Sequence, residues 1–493
     1  MRQAGILLPV FSLPSPHGIG TFGRAAYEFV DFLERSGQTL WQLLPLNPTA
    51  FGDSPYQSFS VFAGNPYFID LDILYCEGYL EKNEYLKTDW GTGGVDYGKL
   101  YENRFRVLKK AVSRFLKNPN AAFESFCERE SKWLDEYALF MSIKERENGK
   151  AWQEWEAPLK FREEQALRAD SSALSESIAF HKVCQFFFYH QWEKLKAYAN
   201  KKNIEIIGDL SFYVSADSAD VWTHPSLFSL DPETLETAVA AGCPPDAFAP
   251  EGQLWGTPVY NWDALEAEGF EWWMQRINSS ARVYDIIRID HFRGFESYYE
   301  IPAGVSAAQG EWKKGIGTVF FDEVKRRFPD LKIIAEDLGY VTQGVKKLLS
   351  YTGYPGMKVL LFAFDSRENS DYLPHNYEKN TVVYTGTHDN QTVMGWAAEG
   401  DKTDVFFAEK YLRMHAGQRL SEAMIENAFL CVADRVVIPM QDYLSLDDSA
   451  RINTPSTLGG NWRWRLSAGQ LTNALSDRIL SLTTLYRRRG RKE

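Results

Sequence analysis

The sequence predicts an α/β fold, a (β/α)8 barrel. Three observations carry that prediction. Eight short runs rich in Val, Ile and Leu recur along 493 residues, several continuous enough to be parallel strands buried on both faces. Helical stripes fit between them. Carboxylates follow several of the runs directly, where a barrel of this kind gathers its chemistry.

The first two expected strands span 5–11 and 40–46. A helix over 25–36 joins them, with Ala26, Phe29, Val30 and Leu33 on one face and Gly37 as its stop. The third strand, 205–214, follows a helix over 178–202 that lines up Phe180, Cys184, Phe187, Phe188, Trp192 and Leu195. Strands four to eight are expected at 285–290, 332–337, 357–364, 382–386 and 435–441. Two gaps exceed ordinary barrel loops. Residues 50–170 begin irregular and aromatic, then turn helical at 100–116 and 124–147. Residues 215–280 are rich in Pro, Gly and Trp. The chain shows neither a low-complexity linker nor an internal repeat. Residues 1–493 therefore read as one catalytic barrel, with 50–170 an insertion subdomain after strand two and 215–280 an insertion or lid after strand three. Loops after strands build the active face of this fold, so both insertions are expected on it.

A net charge of −12 and a pI near 5.4 count against nucleic acid or anionic membrane as a partner. The basic tail Arg487-Arg488-Arg489-Gly490-Arg491-Lys492 is the exception and reads as a solvated end. Cys76, Cys127, Cys184, Cys243 and Cys431 lie far apart without a CxxC. That spacing suits a reducing compartment rather than a disulfide framework or a zinc cluster. The opening MRQAGILLPVFSLPSP has a short apolar run cut by Pro9, so it reads as a strand and loop rather than a signal peptide, and the protein is expected in the cytoplasm. No segment approaches the roughly 18 apolar residues of a membrane helix. Aromatics make up 15% of the chain. Composition favours a large aromatic core as their explanation over a sugar-binding cleft.

The strand ends carry the chemistry. Asp209 ends strand three. Arg288, Asp290 and His291 end strand four, Glu336 and Asp337 strand five, and His388, Asp389 and Asn390 strand seven. Converging carboxylates suit either a metal or glycosyl transfer with a nucleophile and a protonated acid. Arg288 decides between them. Alternation along a strand puts it on the same face as Asp290, where a guanidinium favours the ionised form a nucleophile needs. A metal site would not welcome the extra cation. Asp337 and His291 alternate away, Asp337 as a structural group and His291 as a supporting one.

RIDHFRG at 288–294, AEDLG at 335–339, GTHDN at 386–390 and GDLSFYVSADSADVW at 208–222 resemble the 4-α-glucanotransferases known as amylomaltases or disproportionating enzymes. These form glycoside hydrolase family 77, in the wider α-amylase clan. GILLPVFSLPSPHGIGTFG, SPYQSFSVFAGNPYFID, GQLWGTPVYNW and NTPSTLGGNWRWR extend the likeness over essentially the whole chain. The resemblance implies transfer of α-1,4-glucan segments to a glucose or glucan acceptor with retention, without metal or cofactor. It implies Asp290 as nucleophile, Glu336 as general acid/base and Asp389 as the carboxylate that binds sugar hydroxyls. Arg288 holds Asp290, and His388 and Asn390 lie by the same sugar. Asp209 has a shared motif position with an uncertain direct role. Tyr56 and Ser54 go to the acceptor side, and Gln253 and Trp255 to a loop over the cleft, with Gly252 and Gly256 letting it move. Trp462 and Trp464 are divided between core and rim. Ser211-Phe212 replaces a frequent Pro-Ile, and Thr257 a frequent Asn, which bears on subsite preference rather than the reaction. Maltooligosaccharides are the expected substrates, and monomer and homodimer stay open. The rival readings are a hydrolase using the same groups, a silent glucan-binding protein and a metal-dependent barrel isomerase.

Overall fold

A computed structural model describes residues 2–245, 250–339 and 341–490. Among them twelve strands follow in chain order: β1 (Gln3–Leu7), β2 (Leu40–Gln42), β3 (Glu205–Leu210), β4 (Val239–Cys243), β5 (Gln253–Pro258), β6 (Ile286–Ile289), β7 (Ser297–Pro302), β8 (Glu311–Lys314), β9 (Ile333–Ala335), β10 (Gly356–Val359), β11 (Thr381–Tyr384) and β12 (Arg435–Pro439). Eight of them pair in parallel in the order β10-β11-β12-β1-β2-β3-β6-β9. The ring is completed between β9 and β10. There the Ala335 N–H donates to the Pro355 carbonyl at 2.9 Å, and the Asp337 carboxylate accepts the Met357 N–H at 2.7 Å. Asp337 is structural, as its alternation implies.

The eight expected strands are all present and each is shorter than expected. Apolar residues continue past several strand ends into tight helical turns, at Val10–Ser12 after β1, Leu360–Phe362 after β10 and Met440–Tyr443 after β12. Hydrophobicity alone does not separate the two conformations. Leu7, Leu40, Ile207, Ile286, Ile334, Met357 and Val382 fill part of the barrel interior, and the helices pack outside. Arg24–Arg35 follows β1 and Ser175–Lys201 precedes β3.

The 50–170 insertion contributes the helices Tyr97–Phe115 and Ala121–Arg146, which pack on Ser175–Lys201. Their contact is aromatic: Phe115 meets Phe187 at 5.3 Å and Phe123 meets Phe186 at 5.5 Å between ring centres. Much of the aromatic excess is therefore core. The 215–280 segment differs from a lid loop. It supplies β4 and β5 to a four-stranded antiparallel sheet ordered β5-β4-β7-β8. The other two strands come from the loop after β6, where no sheet is expected from the sequence. Gln253 and Trp255 therefore sit on strand β5 rather than on a loop. Gly252 and Gly256, at φ 73° and 72°, bend the backbone at its start and within it. Both take a left-handed conformation that other residues rarely adopt.

The basic tail is corrected at one residue: Arg487 and Arg489 are exposed, as expected, but Arg488 is fully buried. Its guanidinium donates to the carbonyls of Phe429, Cys431 and Ala433 at 2.8–2.9 Å. These carbonyls follow from the end of the helix Leu420–Leu430, where a helix leaves acceptors without partners. Arg491 and Lys492 lie outside the described residues.

Candidate active site

β6 and β9 are neighbours, with Ile289 opposite Ala335 as the last residue of each. Asp290 and Glu336 come next, so they leave the sheet side by side on strands spaced about 4.8 Å apart. Arg288 Nη1 donates to Asp290 Oδ1 at 3.0 Å and to Asp209 Oδ1 at 2.5 Å. Asp209 lies opposite Arg288 in the β3–β6 register. Burial works against the Arg288 charge, but Asp209 and Asp290 outweigh it and hold the guanidinium above its ordinary range. The Asp209 side chain has no exposed surface and its second oxygen accepts the Tyr56 hydroxyl at 2.7 Å. Both of its oxygens are thus engaged by protein donors, Arg288 and Tyr56.

Glu336 is held by backbone. Oε2 accepts the His291 N–H at 2.7 Å and Oε1 the Leu338 N–H at 2.8 Å. Burial and then the charge of Asp290 push its pKa up to about 7, while Arg288 and the two N–H donors pull against them. His291 reaches this bond from a left-handed conformation, φ 49° and ψ 46°. Such a backbone in a non-glycine residue is held by its surroundings. Its ring packs edge-on to Trp255 at 5.2 Å. Burial lowers its pKa to about 4, so the imidazole is neutral at pH 7.

The loop after β11 supplies the third carboxylate. Asp389 is partly exposed, and its Oδ1 accepts from Asn453 Nδ2 at 2.6 Å. His388 is buried beside it, its ring stacked on Tyr56 at 5.2 Å with 14° between planes. The Asn390 side chain turns inward, and its Oδ1 accepts both the N–H and the hydroxyl of Thr387. Ser54 Oγ accepts the Tyr56 N–H at 3.2 Å, so it shapes the turn that presents Tyr56. The Trp255 indole donates to Gln253 Oε1 at 3.0 Å, and Gln57 Nε2 reaches the Trp255 carbonyl at 3.4 Å. That last bond joins the two insertions.

Trp462 is buried against Tyr56 and His388, with ring centres 6.0 and 5.9 Å away, which places it behind the site. Trp464 is partly buried against the core. The Ser211 and Phe212 carbonyls both accept from buried Arg276, so the Ser-Phe variation sits in a well-bonded turn. Thr257 is buried and its hydroxyl has no protein partner. Sequence reasoning did not single out Asn453 or Arg451, whose guanidinium donates to the Asp389 carbonyl at 2.7 Å. Asn453 opens the quoted NTPSTLGG motif, the one signal that could have pointed to it.

The family model for 4-alpha-glucanotransferase matches residues 8–472. A 4-alpha-glucanotransferase of Clostridium butyricum is 47% identical, covering 97% of this chain and 99% of that one. One of Streptococcus pneumoniae is 48% identical, covering 99% and 97%. The solved amylomaltase from Streptococcus agalactiae, in complex with acarbose, superposes with a TM-score of 0.96 at 44% identity, covering 99% of this chain and all of that one. With its carboxylates ranged along one barrel rim and a family match over nearly its whole length, the chain belongs to the 4-alpha-glucanotransferases of glycoside hydrolase family 77.

Proposed function

We propose that this chain transfers a segment of an α-1,4-glucan to the 4-hydroxyl of an acceptor glucose or glucan by two displacements at one anomeric carbon. Asp290 attacks that carbon as the glycosidic bond breaks, and protonated Glu336 gives its proton to the departing oxygen. The acceptor hydroxyl then attacks the same carbon, loses its proton to Glu336, and releases Asp290. Two inversions retain the configuration. The observation that supports this reading most is the hydrogen bond from His291 N–H to Glu336. It ties the acid to the residue directly after the nucleophile, while a pKa of about 7 lets one group give and take a proton.

Asp389, aimed by Asn453, binds hydroxyls of the sugar at the cleavage point, and His388 and Asn390 flank it. Arg288 keeps Asp290 charged and in place, and Asp209 supports Arg288. Tyr56, set by Ser54, serves the acceptor side with Gln253 and Trp255. Transfer requires that a sugar outcompete water at about 55 M, hence a closed, dry cleft. The Gln57–Trp255 bond between the insertions favours that closure. The scattered cysteines favour a reducing compartment such as the cytoplasm. Among the described residues no helix is long and apolar enough to cross a membrane.

Incubation with maltotriose tests the reading. Transfer yields glucose and longer oligomers at a constant total of reducing ends. A rising total would make water the acceptor and the enzyme a hydrolase.

A further inference from the structure

The loop that carries His388 and Asp389 leaves β11 at Thr385 and re-enters regular structure at Val393, the first residue of the helix Val393–Glu399. Asp442, buried just past β12, spans that opening with one carboxylate. Oδ2 accepts the Thr385 hydroxyl at 2.5 Å and Oδ1 the Val393 N–H at 2.9 Å. Asp448, farther along the same segment, takes the two residues before Val393. Oδ1 accepts the Thr392 N–H and Oδ2 the Gln391 side-chain amide, each at 2.8 Å. It lies so close to Gly395 that an added Cβ would fall 2.0 Å from Oδ1. Both carboxylates act purely as acceptors towards donors of the 385–393 loop.

An unanchored loop samples many conformations, and fixing each of its residues in one of them carries an entropic penalty. The turn within this loop, Thr387 to Asn390, orders its tip without saying where the tip sits on the barrel. We propose that Asp442 and Asp448 are positioning residues that close the 385–393 loop and so fix where Asp389 and His388 meet the sugar. This rests on the role assigned to Asp389 above. Neither carboxylate needs to touch substrate. Their effect falls on the placement of Asp389, where an error of about 1 Å can lower a rate about 10²-fold.

The test measures initial rates on maltotriose, with melting temperatures, for Asp442→Ala, Asp442→Asn, Asp448→Ala, Thr385→Val and Asp389→Asn. Asn at 442 keeps an acceptor for the Val393 N–H and can donate to the Thr385 hydroxyl. The expected result is a kcat about 10²-fold lower in Asp442→Ala with KM changed less than about threefold, and Asp442→Asn recovering most of the loss. Asp448→Ala should lower kcat by about tenfold on the same grounds. A role in stability alone would lower the melting temperature without this split between kcat and KM. A folded Asp442→Ala with wild-type kcat, beside an inactive Asp389→Asn, would overturn the proposal and leave the role of Asp389 standing. An active Asp389→Asn would instead remove that role, and the clamp's purpose with it. If Asp442→Ala does not fold, Thr385→Val decides. It removes one half of the staple and should lower kcat several-fold, and an unchanged kcat there also overturns the proposal.

Discussion

The β6–β9 rim and the β11 loop hold their carboxylates by opposite means. Asp290 and Glu336 stand one residue past paired strand ends, and main-chain N–H groups grip Glu336. Asp389 stands well beyond the end of β11; side chains of Arg451 and Asn453 bond it directly, and those of Asp442 and Asp448 bond the ends of its loop. The ladder sets the first pair whatever the distant side chains are. The loop is only as well placed as its anchors. The two principal groups therefore depend on the strand ladder and the adjacent Arg288, and the third depends on remote residues.

Substitutions along the rim sharpen that contrast. Asp290→Asn should have the largest effect: an amide does not form the covalent bond to the sugar, so kcat falls by about 10⁴-fold or more while binding survives. Rates and calorimetric titration with maltotriose check both halves, and residual turnover near a tenth of wild type would break the assignment. Glu336→Gln should lower kcat by about 10² to 10⁴-fold. In the wild type the protonated acid is competent and its pKa is about 7. The kcat/KM therefore falls as pH rises through about 7, a limb that Glu336→Gln should lack. The same shift bears on stability. Folded Glu336 keeps a proton that the unfolded chain releases near 4.5, so its contribution declines as pH rises from about 4.5 to about 7.

Arg288→Met should act on the fold as well as on the rate. It leaves Asp209 buried and unpaired, a loss of about 3–5 kcal/mol readable by chemical denaturation. A stability within error of wild type would mean that the charge pair is not what holds this rim. Tyr56→Phe is the mildest. Losing one hydroxyl donor to a buried carboxylate costs about 1–3 kcal/mol. It should slow transfer modestly through Arg288, measured as kcat on maltotriose with glucose as acceptor.

The barrel is legible in the sequence because parallel strands buried on both faces leave continuous apolar runs. The Arg288–Asp290 pair is legible because side chains alternate along a strand, and Asp337 departs from Glu336 for the same reason. The second sheet is not. β4, β7 and β8 are polar or glycine-bearing, and β4 meets β7 across about sixty residues (Val239 opposite Pro302), a pairing that no local pattern records. The anchors of the β11 loop are hidden likewise. Asp442 and Asp448 are ordinary carboxylates until the order of strands brings β12 beside β11. Arg488 misleads because a run of cations usually faces water, whereas here carbonyls left over at a helix end take it inside.

The closeness of Asp290 to Glu336 also sets the timing of the proton. Part of what keeps Glu336 neutral is its neighbour's negative charge. In the proposed reaction that charge vanishes when Asp290 becomes a glycosyl ester. The electrostatic grip on the proton then slackens just after the leaving sugar has collected it, and Glu336 is left as the base the next hydroxyl requires. Hydrolysis or transfer of the ester restores the charge and recharges the acid. The cycle resets itself with no moving part.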